Sequence, residues 1–222
     1  MKYLLHIDTS GDTSSVSLAL DGQLICTRLN SESRNHASAI NIMIDAVLAE
    51  AGIIMTQLSG IVVCAGPGSY TGLRIGVATA KGLCYALNIP LLLDNKLTLL
   101  AYQAYRQLGT KYKMYVPLLL AREREYFISC FDNGFQNTVI AKHIMESELG
   151  EYIGNNSDIC LISDNFALEN HEKYSENIYV HPNVNIDIKE WVFYSFEEYK
   201  CNNIVNLSTA EPFYLKQVYT HK

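Results

Sequence analysis

The chain has 222 residues, enough for one large domain or two small ones around a substantial core. Its 17 Lys and Arg are outnumbered by 23 Asp and Glu, giving a net charge of −6. That balance excludes a chain that grips nucleic acid unaided, because phosphate contacts supply most of that affinity. Cys26, Cys64, Cys84, Cys130, Cys160 and Cys201 are widely spaced, so no CxxC or other metal-type pattern exists. The apolar run at the N-terminus is too short for a signal peptide, and none reaches the roughly 18 residues that span a bilayer. The expectation is a cytoplasmic protein with reduced thiols and no membrane contact.

Lys2 to Ile7 is a short apolar strand running into Asp8-Thr9-Ser10. Ser14 to Leu20 alternates, with Val16, Leu18 and Leu20 on one face, and Asp21-Gly22 is a hairpin signal before a third strand from Leu24 to Leu29. Ile40, Met43, Ile44, Val47, Leu48 and Ala51 repeat at helical spacing, which predicts a helix over 36–51 with Gly52 as its stop. A buried strand (Ile61 to Ala65), a helix near 71–87, a short strand (Pro90 to Leu93) and a helix near 96–108 follow. A meander followed by crossovers predicts a mixed sheet with helices on its faces.

Beyond residue 108 the composition changes: twelve of the fifteen tyrosines lie in positions 101–222 and Asn-rich turns appear at Asn155-Asn156 and Asn202-Asn203. Lys113 to Leu120, Glu125 to Phe131 and Asp158 to Ser163 read as strands, and Ile186 to Tyr199 as a helix. The sequence therefore divides into an N-terminal lobe, 1–108, and a smaller C-terminal lobe, 109–222. No internal repeat is visible.

The segment between the fourth strand and its helix, Cys64-Ala-Gly-Pro-Gly-Ser-Tyr-Thr-Gly-Leu-Arg-Ile-Gly76, resembles a phosphate cradle in composition. It lacks the G-x4-G-K-[ST] spacing of a P-loop, and Gly66-x-Gly68-x-x-x-Gly72 is one residue too long for a dinucleotide fingerprint. Two readings of the residues stand. Asp8, Thr9, Ser10, Gly66, Gly68, Ser69, Thr71 and Arg74 form two phosphate-facing turns at a positive helix end, or they only satisfy turns and helix caps. Arg74 pairs with an acid or a phosphate, Asp8 being one candidate. Gly72, Gly76, Ala80 and Cys84 form a stripe of small side chains. With Gly82, three helical glycines together cost about 2–3 kcal/mol relative to Ala, so another backbone is expected to pack closely there.

The segments IDTSGDTSSVSLALDGQ, NHASAINIMIDAVLAEAGI and AGPGSYTGLRIGVATAKGLCYALNIPLL resemble the TsaB (YeaZ) family over about the first 105 residues. Later similarity is fragmentary. Ala121-Arg-Glu-Arg-Glu125 is similar to a family D-A-R…E segment, with Leu120 in place of an Asp, and Ala210 to Lys216 is similar to its A-x-P-x-Y-L-R ending. A family Gly-rich segment has lost its glycines at Ser163-Asp164-Asn165.

The resemblance implies an α/β actin-like ATPase (ASKHA, ribonuclease H-like) fold, with two lobes of mixed sheet flanked by helices. It implies a scaffold that dimerises with a TsaD-like catalytic paralogue, the subunit that transfers threonylcarbamoyl to an adenosine beside the tRNA anticodon. A TsaE-like ATPase joins them, tRNA is reached only through the complex, and the chain alone forms a homodimer. The paralogue's metal motif, V-N-H-L-E-G-H, matches Asp94 to Leu100, so its two histidines are Lys96 and Leu100 here. An ammonium and an alkyl chain offer a metal no electron pair, so no catalytic residue, metal or cofactor is expected, with nucleotide binding left open. The implied partner face holds His36, Ile40, Ile44, Val47, Gly72, Ile75, Gly76 and Thr79; His36 is otherwise a capping or packing residue at a helix start.

Two enzyme readings compete with the scaffold. A nuclease of this fold class needs clustered carboxylates, and Asp8 and Glu50 lack a third because the fourth strand ends without an acid. An ATP-binding or ATP-hydrolysing enzyme is favoured by the retained Asp8-Thr9-Ser10.

Overall fold

The computed structural model describes residues 1–32, 35–153, 158–163, 178–182 and 184–215. The Asn155-Asn156 turn, Asp164-Asn165 and Lys216 lie outside the described residues.

The first strands are β1 (Tyr3–Asp8), β2 (Ser14–Leu20) and β3 (Gln23–Asn30), an antiparallel meander as the alternation predicts. The β2–β3 hairpin turns at Asp21 and Gly22, both with positive φ (49° and 78°), the geometry that the Asp-Gly pair favours. Helix α1 (His36–Ala51) then leads to β4 (Leu58–Cys64), α2 (Tyr70–Leu87), β5 (Leu91–Asp94) and α3 (Lys96–Leu108). β4 and β5 add in parallel, giving the order β3-β2-β1-β4-β5.

β6 (Met114–Arg122), β7 (Glu125–Asp132) and β8 (Asn137–Met145) form a second meander, followed by α4 (Leu149–Ile153), β9 (Ile159–Ile162) and β10 (Ile178–His181). The second sheet, β10-β9-β6-β7-β8, repeats the first: three antiparallel strands, then two parallel strands beside the first of them. The duplication is one of topology, invisible as a repeat in the residues. α5 (Ile188–Lys200) closes the regular structure, capped by Asp187, whose side chain accepts from the N–H groups of Lys189 and Glu190.

The chain forms two compact units, but not by a single cut after residue 108. Met1–Lys96 and Asp187–Phe213 make up the first, and Leu97–Ile186 with the C-terminal residues make up the second. The boundary drawn from composition misses the return of α5, because a helix's amphipathic face does not say which sheet it will cover.

In the first unit, Leu5, Ile7, Val16, Leu18, Ile61 and Val63 pack against Ile40, Ile44, Val47, Val77, Ala80 and Cys84 from α1 and α2. The opposite face of this sheet meets α5: Trp191 sits edge-on to His6 at 5.1 Å, and Tyr199 lies against Gly60. In the second unit, Leu100, Ala101 and Ala104 of α3 pack with Tyr115, Phe131, Cys160 and Ile162. Leu149 and Ile153 of α4 join Val116, Leu118, Ile128 and Leu161 in a separate cluster.

Candidate functional site

β1 and β4 run parallel, so Asp8-Thr9-Ser10 and the Gly66–Gly72 loop leave the sheet side by side. Ser10 N–H donates to Asp8 Oδ1 (2.8 Å), folding the first turn back on itself. Thr9 and Ser10 are buried and Asp8 is half-buried. In the second turn, Gly66 takes φ 110° and its bond to Pro67 is cis. Ser69 caps α2, its Oγ accepting from Gly72 N–H at 3.2 Å.

The two turns are bonded directly to each other. Ser69 N–H donates to the Ser10 carbonyl (2.8 Å), and Thr9 Oγ1 donates to the Gly72 carbonyl (2.7 Å). A Cβ on Gly68 or Gly72 would collide with the carbonyl oxygens of Ser10 and Thr9 respectively, and one on Gly76 with Thr9 Oγ1. These three glycines therefore let α2 settle onto the β1–β2 turn. Ser69 N–H and Gly72 N–H already have acceptors within the chain. Gly82 differs: nothing lies within 4 Å of where its Cβ would be.

Thr71 and Arg74 are exposed, and the Arg74 guanidinium lies 4.0 Å from the centroid of the Tyr70 ring. Lys96 opens α3, donating its N–H to the Gly66 carbonyl at 2.7 Å, with Nζ 4.0 Å from where a side chain on Gly11 would begin. Burial pushes the Cys64 thiol far up, Asp8 adds to the rise and Lys96 opposes it, so both charges act on the end of β4. Leu100, one turn along α3, is fully buried among apolar side chains.

The expected partner face needs correction. Ile40, Ile44, Val47, Gly72 and Gly76 are buried in the chain's own core, and His36 is buried with Nε2 at 3.1 Å from the Gly11 carbonyl. An apolar helix stripe faces its own sheet first, and the opposite side of the helices is turned away from that sheet. There Ile75 and Thr79 are half-buried, Ala78 and Gly82 are exposed, and Ile42 and Tyr85 stand 70% and 84% exposed.

A second polar group, missed in the sequence, lies on the α5 side of the sheet. Asp94 Oδ2 accepts from Trp191 Nε1 at 2.7 Å, and His6 Nε2 meets Ser195 Oγ at 2.7 Å. Ser195 Oγ also bonds the Trp191 carbonyl, at 2.8 Å. Burial pulls His6 down to about 3 and pushes Asp94 up to about 7, the latter helped by Glu198 and opposed by the indole bond. The available signal was a His and an Asp inside the apolar runs LLHI and LLLD, where polar side chains need buried partners. Ala121 and Arg122 end β6, Glu123 and Arg124 make the turn and Glu125 opens β7, while the Ala210 carbonyl accepts from Lys81 Nζ at 2.9 Å.

Residues 29–210 match the family model described as TsaD, tRNA N6-adenosine threonylcarbamoyltransferase. The chain is also 36% identical over 103 residues to the tRNA threonylcarbamoyladenosine biosynthesis protein TsaB of Haemophilus influenzae. The chain belongs to the TsaD family, in its TsaB (YeaZ) branch. The matched stretch covers 46% of this TsaB-family chain and 43% of that relative. YeaZ from Pseudomonas aeruginosa superposes with a TM-score of 0.76 at 21% identity, covering 95% of this chain and all of that one. A Bacteroides thetaiotaomicron protein with an actin-like ATPase fold gives a TM-score of 0.51 at 11% identity, over 87% of this chain and 96% of its own. The TsaB-family chain thus has the actin-like fold. Among the described residues, no helix is long and apolar enough to cross a membrane.

Proposed function

We propose that the chain is a non-catalytic scaffold subunit of the machinery that installs threonylcarbamoyl on the adenosine beside the tRNA anticodon. It acts by pairing with a TsaD-like catalytic paralogue in the cytoplasm. A TsaE-like ATPase joins the pair, tRNA is met only through the complex, and the chain alone forms a homodimer.

The observation that carries this reading is the pair Lys96 and Leu100. At the start of α3, where the catalytic paralogue has two histidines, this chain has an ammonium and a fully buried alkyl chain. Neither side chain ligates a metal at neutral pH. The bonded turns around Thr9, Ser10 and Ser69 support the same reading, since donors that would face a phosphate have internal acceptors.

The partner face is the outward side of α1 and α2: Ile42, Ile75, Ala78, Thr79, Gly82 and Tyr85. Gly82 supports this placement, because its missing side chain meets nothing within this chain while a neighbouring helix would gain close approach there.

Reconstitution with the paralogue, threonylcarbamoyl adenylate and tRNA tests the assignment. The lone chain yields no modified nucleoside, the paralogue needs the chain for full activity, and Gly82→Arg abolishes association without lowering the lone chain's melting temperature. Turnover by the lone chain, or ATP hydrolysis without partners, makes it an enzyme and overturns the reading. A Gly82→Arg variant that binds the paralogue at wild-type affinity overturns the interface.

A further inference from the structure

We propose that the buried hydrogen bond between Asp94 and Trp191 is a proton-sensitive latch holding α5 on the sheet of the first unit. Asp94 is the last residue of β5 and 6% exposed; Trp191, in the first turns of α5, is 1% exposed. The chain leaves this unit after Lys96, two residues beyond Asp94, and re-enters at Asp187, four residues before Trp191. One bond of 2.7 Å therefore ties the exit point to the re-entry point, inside a single unit.

The surroundings make that bond sensitive to the state of the carboxyl. Among the described residues Asp94 forms no ion pair, and its side-chain donor is the neutral indole. On α5 the nearby charge is Glu198, of like sign. On β4 the ladder neighbour is Cys64, a buried thiol held neutral. On β1, His6 touches Trp191 edge-on and is held neutral by burial, while Asp8 is again of like sign. Lys96 on α3 is a cation at this end of the sheet, and its Nζ lies by Gly11.

A protonated Asp94 accepts the indole N–H and puts no charge in the core. On ionisation the proton leaves to solvent and a buried carboxylate remains, repelled by Glu198 and compensated only in part by the indole N–H. The relief available is for α5 to lift locally and admit water. The acid form is the closed latch, and the crossover lies near the raised value of about 7.

Trp191 is the only tryptophan in the chain, so the full-length protein carries its own reporter. In 15N-labelled protein the single indole N–H resonance and the tryptophan emission are followed from about pH 5.5 to about 8.5. The expected result is one step centred near neutrality, with amides of 188–200 losing roughly tenfold in exchange protection above it relative to α1. Asp94→Asn keeps an acceptor for the indole and abolishes the step. Glu198→Gln, which preserves a carbonyl for its bond from Asn203, lowers the midpoint by about half a pH unit. A flat indole signal in the folded wild-type protein overturns the proposal, as does a step that survives in Asp94→Asn. If Asp94→Asn does not fold, Glu198→Gln decides, and an unmoved midpoint overturns it.

Discussion

The Cβ that Gly72 lacks would fall on the carbonyl oxygen of Thr9. Because Thr9 in turn donates its hydroxyl to the Gly72 carbonyl, the first turn of α2 and the end of β1 are in backbone contact. The glycine-rich loop thus works as a seat for a helix.

Gly72→Ala forces a methyl group into backbone that cannot yield, and is expected to destabilise the chain by about 3 kcal/mol, beyond the ~1 kcal/mol of helix propensity it gains. Gly82→Ala sits in the same helix with open space around it and is expected to stabilise by about 0.5–1 kcal/mol. Urea unfolding of the two variants checks the contrast; equal effects would mean the glycines share one role.

His6 is held neutral, with its folded value lowered from 6.5 to about 3. The unfolded chain binds more protons in that interval, so this residue's contribution is complete above about pH 6.5 and drains away as pH falls towards 3. His6→Asn removes this acid-sensitive component. Asp94 has the opposite slope: raised from 3.8 to about 7, it favours the fold at low pH and loses that contribution as pH rises through 7. Between about pH 4 and 6.5 the two offset each other, so each single variant unmasks the slope of the other. Chemical denaturation of both variants across this range reads the two slopes; parallel curves would refute the pairing.

Ser195→Ala removes the partner of His6 Nε2 and leaves a buried ring nitrogen unpaired, an expected loss of about 1–3 kcal/mol. Ser195→Thr keeps the hydroxyl and is expected to recover part of it. Thermal melts of the two variants separate the missing bond from altered packing, and equal losses would point to packing alone.

Cys201 is exposed, whereas Cys26, Cys64, Cys84, Cys130 and Cys160 are buried, with burial pushing Cys84 and Cys160 up to about 12. A thiol reagent should therefore titrate one group in the folded protein and all six after unfolding. Rapid labelling of more than one native thiol would contradict the packing of the cores.

Periodicity made α1, α2 and α3 legible, since each has a buried stripe at helical spacing and a clear stop, Gly52 at φ 66° and Asn88 at φ 53° for the first two. β8 escaped notice because, of its nine residues, only Ile144 is buried, leaving little apolar alternation to detect. The small-residue stripe of α2 was visible, but residue types could not divide it. Gly72 and Gly76 face Thr9 within the chain, while Gly82 faces outward. The stripe that seemed to offer Ile40, Ile44 and Val47 to a partner turned out to be the chain's own core.

By itself the sequence determined what short-range chemistry controls: the order of strands and helices through the first hundred residues, the Asp-Gly hairpin, and, at Lys96 and Leu100, side chains that offer a metal no electron pair. Those follow from side-chain period, turn geometry and the electron pairs a residue possesses. Tertiary structure alone decided which faces met, the return of α5 to the first sheet, and the matching of Asp94 with Trp191 across 97 positions. Such pairings depend on which surfaces can exclude water together, and a linear pattern states that a face is apolar without naming the face that will cover it.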